Sequence, residues 1–317
     1  MRMLLGAAIT VLVSCSASAE LPDELQHLET IKDEPAAVDA MRNFHTLQEG
    51  LIRWDSELAA QYVDSGERSL AETKAEDVRR RVRAVGSGWQ YLLARYPSNP
   101  RVNNYYGEYL YDHTRDQAAA VQHWQRAVDL DPAFAPGFNN LGVHYLHNGN
   151  VRLGLQYLNT AVELDPNHPD YLFNITQAYL NYRRHVNRLY AINEKKVYEQ
   201  AMDFSRRAAE YAPNDLQIVQ DYAVNFYAAE NFGLTADWKA AAQAWDDVLA
   251  IAVKTTDRYY AILNKARVMI RMRNWSEAIA LLEQSLEMEP DSEVAASLLE
   301  QCRAELDRGS SKKRKSQ

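Results

Sequence analysis

The fold is decided by a stretch in the middle of the chain, Ala135–Pro166, which reads APGFNNLGVHYLHNGNVRLGLQYLNTAVELDP. Gly142 and Ala161 are small and suit a close approach of two helices, because a larger side chain would push the helices apart. Pro166 cannot continue a helix interior, so it helps to set a helix boundary. The large apolar residues that fill the space beside the small ones are Phe138, Leu141 and Tyr145.

Related positions recur on both sides of this stretch, in the same order. The upstream positions are Tyr106, Gly107, Leu110, Ala120, Trp124, Ala127 and Pro132, and the downstream ones include Ala208, Pro213, Ala223, Trp245, Ala266, Ala278 and Pro290. The register is broken in three places. A single extra residue lies around Asp112–Asp116, a longer insertion near Tyr182–Lys195 and a shorter one around Glu230–Thr235.

With these positions the pattern resembles the tetratricopeptide repeat (TPR) family, whose unit is a helix–turn–helix of 34 residues. The resemblance implies an all-α protein, a right-handed α-solenoid of about five TPR helix hairpins with N- and C-terminal capping helices. The low glycine count and the lack of strand-like alternation agree with an all-helical chain. An irregular helical bundle is the alternative.

The sequence divides into five predicted segments. They are a secretory signal at 1–19, an N-terminal helical capping region at 20–98, a TPR array at 99–290, a C-terminal capping helix at 291–307 and a basic disordered tail at 308–317. The capping regions are expected because the end repeats of a stacked array must have their apolar faces covered.

The N-terminal capping region is predicted to contain two long helices. Apolar residues at three- and four-residue steps predict an amphipathic helix over Val38–Tyr62. A second helix is expected over Leu70–Tyr96, bent at Gly86 and Gly88. The segment Leu21–Pro35, which is rich in charge, is predicted to be a linker or a frayed helix.

The C-terminal capping helix is expected to turn Val294, Leu298 and Leu299 towards the last repeat. Cys302 is the only cysteine beyond the leader, so it cannot form an internal disulfide. Its apolar neighbours predict a buried, small hydrophobic residue rather than a nucleophile.

The leader Met1–Ala19 has one early cation and an apolar run, Met3–Val13, that is too short to span a bilayer well. It is typical of a secretory signal. Two cleavage sites compete. The A-x-A sequence Ala17–Ala19 would release a soluble product, whereas Leu12–Cys15 resembles the bacterial lipobox, whose cysteine is diacylated and becomes the N-terminus. In the second case Cys15 would hold the chain durably on a membrane. The expected location is therefore the periplasm or an outer-membrane anchor.

The formal net charge of the chain is −8. Without Arg2 of the leader it is −9, and the five cations of the last ten residues leave −14 for Glu20–Asp307. A body this acidic is a poor surface for nucleic acid and suits protein partners, basic ones above all.

The resemblance also implies where a protein or peptide partner would bind. In the TPR family this is a concave groove lined by the first helix of each repeat, and tyrosine and amide side chains suit an extended peptide backbone. The positions are Asn104, Tyr105, Glu108 and Tyr111 in repeat one; Asn139, Asn140 and His147 in repeat two; Phe173, Asn174, Gln177 and Asn181 in repeat three; Gln220, Asp221 and Tyr227 in repeat four; and Asn264, Arg267 and Arg271 in repeat five. The alternative is that Asn140, Asn174 and Asn264 serve hydrogen bonding within the repeat.

The insertion near Tyr182–Lys196 is unusually basic for this chain. We expect two neighbouring helices to be extended by about two turns each, which would carry the insertion beyond the stack. Its cations are predicted to contact a partner or an anionic envelope surface; they are Arg183, Arg184, Arg188, Lys195 and Lys196.

No motif predicts an enzyme or a cofactor. The chain lacks a phosphate-binding glycine loop, a G-x-S-x-G sequence, an H-E-x-x-H sequence and a C-x-x-C pair. His144 and His147, with His123, lack a partner that would complete a metal ligand set, so no metal site is predicted.

Taken together, the sequence predicts a non-catalytic, protein-binding TPR adaptor or scaffold of the cell envelope. A soluble periplasmic protein that binds a peptide or a glycan is the alternative, and an enzyme on a helical scaffold is the third possibility.

Overall fold

The computed structural model describes residues 21–315, with side chains described as far as Arg308. All regular elements in this range are helical, as the sequence predicts. The predicted signal and the lipidation site Cys15 lie outside the described residues. The chain divides into two compact units, the first ending at Leu164 and the second beginning at Asp165.

The described part of the first unit consists of helices that pack in chain order. Its α-helices are α1 (Glu34–Asp64), α2 (Arg68–Arg95), α3 (Pro100–Tyr109), α4 (Gln117–Leu130), α5 (Ala135–His147) and α6 (Val151–Leu164). A 3-10 helix, Asp23–Glu29, precedes α1, and a π-helix, Leu110–Thr114, continues α3. Each α-helix packs on the next, and α3 also contacts α1 and α5, so that α1, α3 and α5 are neighbours.

The second unit repeats this arrangement. Its α-helices are α7 (Pro169–Asn181), α8 (Arg183–Tyr190), α9 (Glu194–Tyr211), α10 (Leu216–Asn225), α11 (Trp238–Ile251), α12 (Thr255–Arg271), α13 (Trp275–Met288) and α14 (Glu293–Lys315). A 3-10 helix, Phe226–Phe232, follows α10. From α9 to α14 each α-helix packs on the next, and α7 packs on α9.

The helices pair closely where the sequence places small residues. A Cβ atom added to Gly142 of α5 would lie 2.9 Å from the backbone nitrogen of Leu158 in α6. Gly107 of α3 faces the indole of Trp124 in α4, whose ring is almost fully buried. Ala161 is buried completely at the α5–α6 contact. The predicted role of these small residues is confirmed.

Polar side chains start many of the helices. Asp33, Asn99, Asp116, Asp215 and Asp237 each accept a hydrogen bond from a backbone N–H in the first turn of the following helix. These side chains satisfy amide groups that have no partner within the helix, which fixes where each helix begins.

The N-terminal capping region differs from the prediction in two details. Leu25 and Leu28, in the segment predicted to be a linker or a frayed helix, are fully buried in the core of the first unit. The two glycines of α2 do not interrupt it. Gly86 lies against the ring of Tyr109 and Gly88 against Met41, so both permit close packing.

The C-terminal helix differs from the prediction at Val294 and in its length. The predicted inward placement of Leu299 is confirmed, and Leu298 packs partly buried against the same core. Val294 is half exposed, because the buried face is Ala295, Leu299 and Cys302, which at i, i+4 and i+7 share one side of the helix. The helix also continues to Lys315, where a disordered tail was expected, and lysine and arginine are good helix formers.

The insertion also folds differently from the prediction. Residues 183–190 form the separate helix α8 rather than extensions of α7 and α9. A non-helical residue, Tyr182, separates α8 from α7, and Ala191 in the left-handed conformation ends it. Val186 is fully buried, so α8 packs against the rest of the second unit through this apolar side chain.

The close approach at Gly142 predicts a matched pair of glycine substitutions. Gly142→Ala should lower the free energy of unfolding by about 1–2 kcal/mol, because the backbone of Leu158 cannot move aside as a side-chain end can. Gly50→Ala, in α1 with nothing within 4 Å of the added Cβ, should raise it by about 0.5–1 kcal/mol through helix propensity alone. Chemical denaturation followed by circular dichroism measures both. Equal effects would contradict the packing argument.

Candidate functional site

The structure separates the predicted groove residues into buried and accessible ones. Asn104, Asn139 and Asn264 are buried, so their side chains are not available at a surface. The half-buried residues are Tyr105, Glu108, Tyr111, Asn140, Phe173, Asn174, Gln177, Gln220, Asp221, Tyr227 and Arg267, and the exposed ones are His147, Asn181 and Arg271. The buried asparagines correct the prediction, because their place is inside the repeats.

In the first unit, the polar residues of α3 and α5 form one hydrogen-bonded group. Asn140 donates from Nδ2 to Asn104 Oδ1 at 3.0 Å and to Glu108 Oε1 at 2.8 Å. Asn104 donates to the same Glu108 oxygen at 2.8 Å. Two amides therefore hold one carboxylate in a fixed position between two successive repeats.

An aromatic platform lies beside this group, between α1 and α3. The ring of Tyr105 stacks on the buried Trp89 with centroids 5.1 Å apart, and the guanidinium of Arg42 lies 5.5 Å from the Tyr105 ring. Burial raises the pKa of the Tyr105 phenol, which keeps it a neutral hydrogen-bonding group. We call Arg42, Tyr105, Glu108 and Asn140 the first polar strip.

Tyr111 and His147 are not part of this strip. The ring of Tyr111 packs against Trp124, with centroids 5.2 Å apart, and edge-on against His144. Its aromatic face is therefore used within the repeats. His147 lies at the exposed C-terminal end of α5.

A second group of amides surrounds a carboxylate in the second unit. Gln177 of α7 donates to Asp221 Oδ1 at 2.7 Å, and Asn225 donates to Asp221 Oδ2 at 2.8 Å. Asn225 also donates to the hydroxyl of Ser205 in α9, at 3.0 Å. Burial raises the pKa of Asp221 to about 6, against the hydrogen bonds from the two amides, which favour ionisation.

Around α12, the predicted arginines are already engaged. Arg271 forms an ion pair with Glu230 and lies 5.5 Å from the ring of Trp238. Arg267 donates to the side chain of Asn264 at 3.1 Å. The hydroxyl of Tyr227 donates to the backbone oxygen of Asn264 at 3.0 Å.

Burial raises the pKa of Tyr227 to about 12, so this phenol also stays neutral. Gln177, Asp221, Tyr227, Arg267 and Arg271 together are called the second polar strip.

The repeats can now be compared with known proteins. A family model described as the tetratricopeptide repeat matches residues 58–135 and 115–169. Residues 58–169 therefore contain tetratricopeptide repeats. The matched residues include α3 to α6, the helices that carry the clearest repeat positions.

Two solved structures illustrate the likeness. YrrB, described as a TPR protein with an unusual peptide-binding site, has 13% sequence identity and a TM-score of 0.50; the match covers 66% of this chain and 96% of YrrB. The C-terminal part of a TPR repeat-containing protein from Cytophaga hutchinsonii has 18% identity and a TM-score of 0.50, over 82% of this chain and 99% of that one. At these identities the likeness establishes the TPR solenoid fold. No curated protein matches the sequence significantly.

The cations of the insertion divide between two helices. Arg183 is partly covered, with its guanidinium 5.2 Å from the ring of Phe232 and its Nε 3.7 Å from Glu194. Arg184 and Arg188 are exposed on α8. Lys195 and Lys196 lie in the first turn of α9 and are exposed, each about 3.8 Å from an oxygen of Glu199.

Three residues that contact the polar strips were not predictable from the repeat positions. Arg42 and Trp89 lie before the predicted array at 99–290, although the family-model match, which begins at residue 58, includes Trp89. Asn225 lies one turn after Asp221, and only that i, i+4 spacing could have indicated the contact.

The carboxylate of Asp221 predicts a pH-dependent stability. Its folded-state pKa lies above the ordinary value of 3.8, so folding favours the protonated form. The stability that the protonated carboxyl contributes to the folded state is fully present below pH 3.8 and is lost as the pH rises through about 6. Asp221→Asn has no proton to lose at this position. The free energy of unfolding of Asp221→Asn, relative to that of the wild type, should therefore increase by on the order of 1–2 kcal/mol as the pH rises from 5 to 8.

Denaturant unfolding at several pH values measures this difference. The exposed Asp291→Asn is the matched control and should follow the wild-type pH dependence. If Asp221→Asn also follows it, Asp221 ionises normally and the account of its burial is wrong.

Proposed function

We propose that this protein is a non-catalytic adaptor of the cell envelope that holds an extended segment of a protein partner on the first polar strip. The observation that carries the proposal is the first strip, where Asn104 and Asn140 fix the Glu108 carboxylate beside the stacked ring of Tyr105. Groups that are already held in place lose little conformational freedom on binding.

The chemistry of the strips favours a peptide backbone with cationic side chains. Tyrosine offers a large apolar area with a polar tip, and amides both donate and accept hydrogen bonds. Glu108 supplies a fixed negative charge on a body whose formal charge is −14 between Glu20 and Asp307. Such a field favours encounters with basic partners. YrrB, whose fold this chain shares, is described as having a peptide-binding site.

A lipid on Cys15 would place these strips at a membrane surface. The leader sequence Leu12–Cys15 supports this part of the proposal. Among the described residues, no helix combines the length and the apolarity that crossing a bilayer requires. A chain attached through Cys15 would be held by its acyl groups. The exposed cations of α8 and α9 would then be available to a partner or to an anionic envelope surface.

Site-specific photo-crosslinking tests the binding surface. A crosslinking amino acid at position 108 of the full chain should yield a discrete adduct with a partner in envelope preparations, since this position lies in the first strip. The matched control is position 163, because Glu163 is an exposed acidic residue on α6. Adducts of equal yield at both positions, or adducts at 163 alone, would contradict the proposed surface.

The charge of the strip can be tested on any partner identified in this way. Glu108→Gln keeps an oxygen that accepts from Asn104 and Asn140 but removes the charge. It should weaken binding of a basic partner about three- to tenfold, the range of a partly exposed charge contact. Glu163→Gln should leave affinity unchanged. Identical affinities for the two variants would exclude an electrostatic role for Glu108.

The intact mass of membrane-extracted protein tests the anchor. We expect a chain that begins at Cys15 and carries acyl groups, and Cys15→Ser should abolish the acylated species and its membrane retention. An unmodified chain beginning at Glu20 would refute lipidation. That result would instead support a soluble periplasmic protein that binds a peptide or a glycan.

A further inference from the structure

A group of metal-ligating side chains joins α1 to the first repeat. His45 and Glu49 lie one turn apart on α1, and His113 lies on the π-helix Leu110–Thr114. One ligand atom from each of the three residues lies within 4.8 Å of the other two. His45 and His113 are 13% and 12% exposed, so the imidazoles are largely shielded, while Glu49 is more open at 34%.

The π-helix explains why His113 reaches this position. The repeat pattern contains a single extra residue around Asp112–Asp116, and the structure accommodates the extra length in the wide π-turn. A π-turn places one more residue in the turn and so alters the direction of the side chains that follow it; such turns are frequent at functional sites. Thr114 closes the turn with a hydrogen bond to Leu110 O at 2.8 Å, and Arg115 ends it in the left-handed conformation.

We propose that His45, Glu49 and His113 form a binding site for a divalent transition-metal ion, with Zn²⁺ as the ion that fits best. Two imidazoles and one carboxylate are a common ligand set for such ions, and in zinc sites of this type a water molecule fills the fourth position. The site fastens the capping helix α1 to the first repeat.

The present distances are close to those of a tetrahedral site. With zinc–nitrogen and zinc–oxygen bonds of roughly 2.0–2.1 Å, neighbouring ligand atoms lie roughly 3.3–3.4 Å apart. His45 Nε2 lies 3.2 Å from Glu49 Oε1, which fits already. His113 Nε2 lies 2.6 Å from the same oxygen, so these two atoms must separate by roughly 0.7–0.8 Å to admit the ion.

The hydrogen bond from Trp89 determines which ring nitrogen of His45 carries the proton in the metal-free protein. Metal binding must move that proton to the other nitrogen. The indole N–H of Trp89 can only donate, and it lies 3.1 Å from His45 Nδ1. In the metal-free state His45 therefore carries its proton on Nε2, where it donates to Glu49. The ion binds at Nε2, the ring proton moves to Nδ1, and the hydrogen bond from Trp89 is lost. Occupancy of the site consequently weakens one fixed contact of Trp89, the residue on which Tyr105 stacks.

The experiment uses the untagged full chain, freed of metal and titrated with ZnCl₂ by calorimetry. One zinc ion per chain is expected, and zinc should raise the thermal unfolding temperature. Glu49→Gln is the informative variant, because its amide oxygen still accepts hydrogen bonds from both imidazoles but ligates metal poorly. It should weaken zinc binding at least tenfold and remove the thermal shift.

Two further measurements complete the test. His113→Gln should lose zinc binding to a similar degree. Glu57→Gln changes an exposed acid on α1, the helix that carries Glu49, and should bind zinc as the wild type does. Cobalt(II) bound to the wild type should give the visible absorption of a four-coordinate site, and this should disappear in Glu49→Gln. Absence of stoichiometric zinc binding, or equal binding by the wild type and Glu49→Gln, would overturn the proposal and leave the three residues as a hydrogen-bonded contact alone.

Discussion

The close approach of paired helices at small residues is the constraint on which the rest of the structure depends. Gly142 permits the backbone of α5 to lie against that of α6, and Gly107 permits α3 to lie against the ring of Trp124. Once these pairs form, their remaining apolar faces are covered by the next pair along the chain. The first helices α3 and α5 then become neighbours, and their polar side chains lie side by side. The candidate binding surface is thus a product of the packing.

The polar residues on these helices serve the repeats and a partner at the same time. Asn104 is buried and bonded to its neighbours, yet its amide positions Glu108, which is half exposed. The same holds in the second unit, where Asn225 is buried and positions Asp221. A structural role and a binding role for the asparagines therefore do not exclude each other, because an interior amide that orients a surface carboxylate contributes to both.

The sequence was most informative where a residue type is dictated by packing. Gly142, Ala161 and Pro166 predicted the hairpin, and the extra residue near Asp112 was recognised from the loss of register. Its consequence was not predictable, since register alone does not distinguish a longer loop from a π-turn. The same limitation applies to the insertion, where only the burial of Val186 shows that residues 183–190 dock as a helix. Contacts between distant segments, such as Glu49 with His113, follow from tertiary packing and have no local sequence signal.

The central claim is that each hairpin is stabilised mainly by its immediate neighbours through these close contacts. Hydrogen exchange of the full chain, measured helix by helix in the wild type and in Gly142→Ala, tests it most directly. The account predicts that protection falls most in α5 and α6, less in α3 and α4, and not at all in α11 to α13, because stability in a repeat array is a sum of nearest-neighbour terms. An equal loss of protection in every helix would contradict the account.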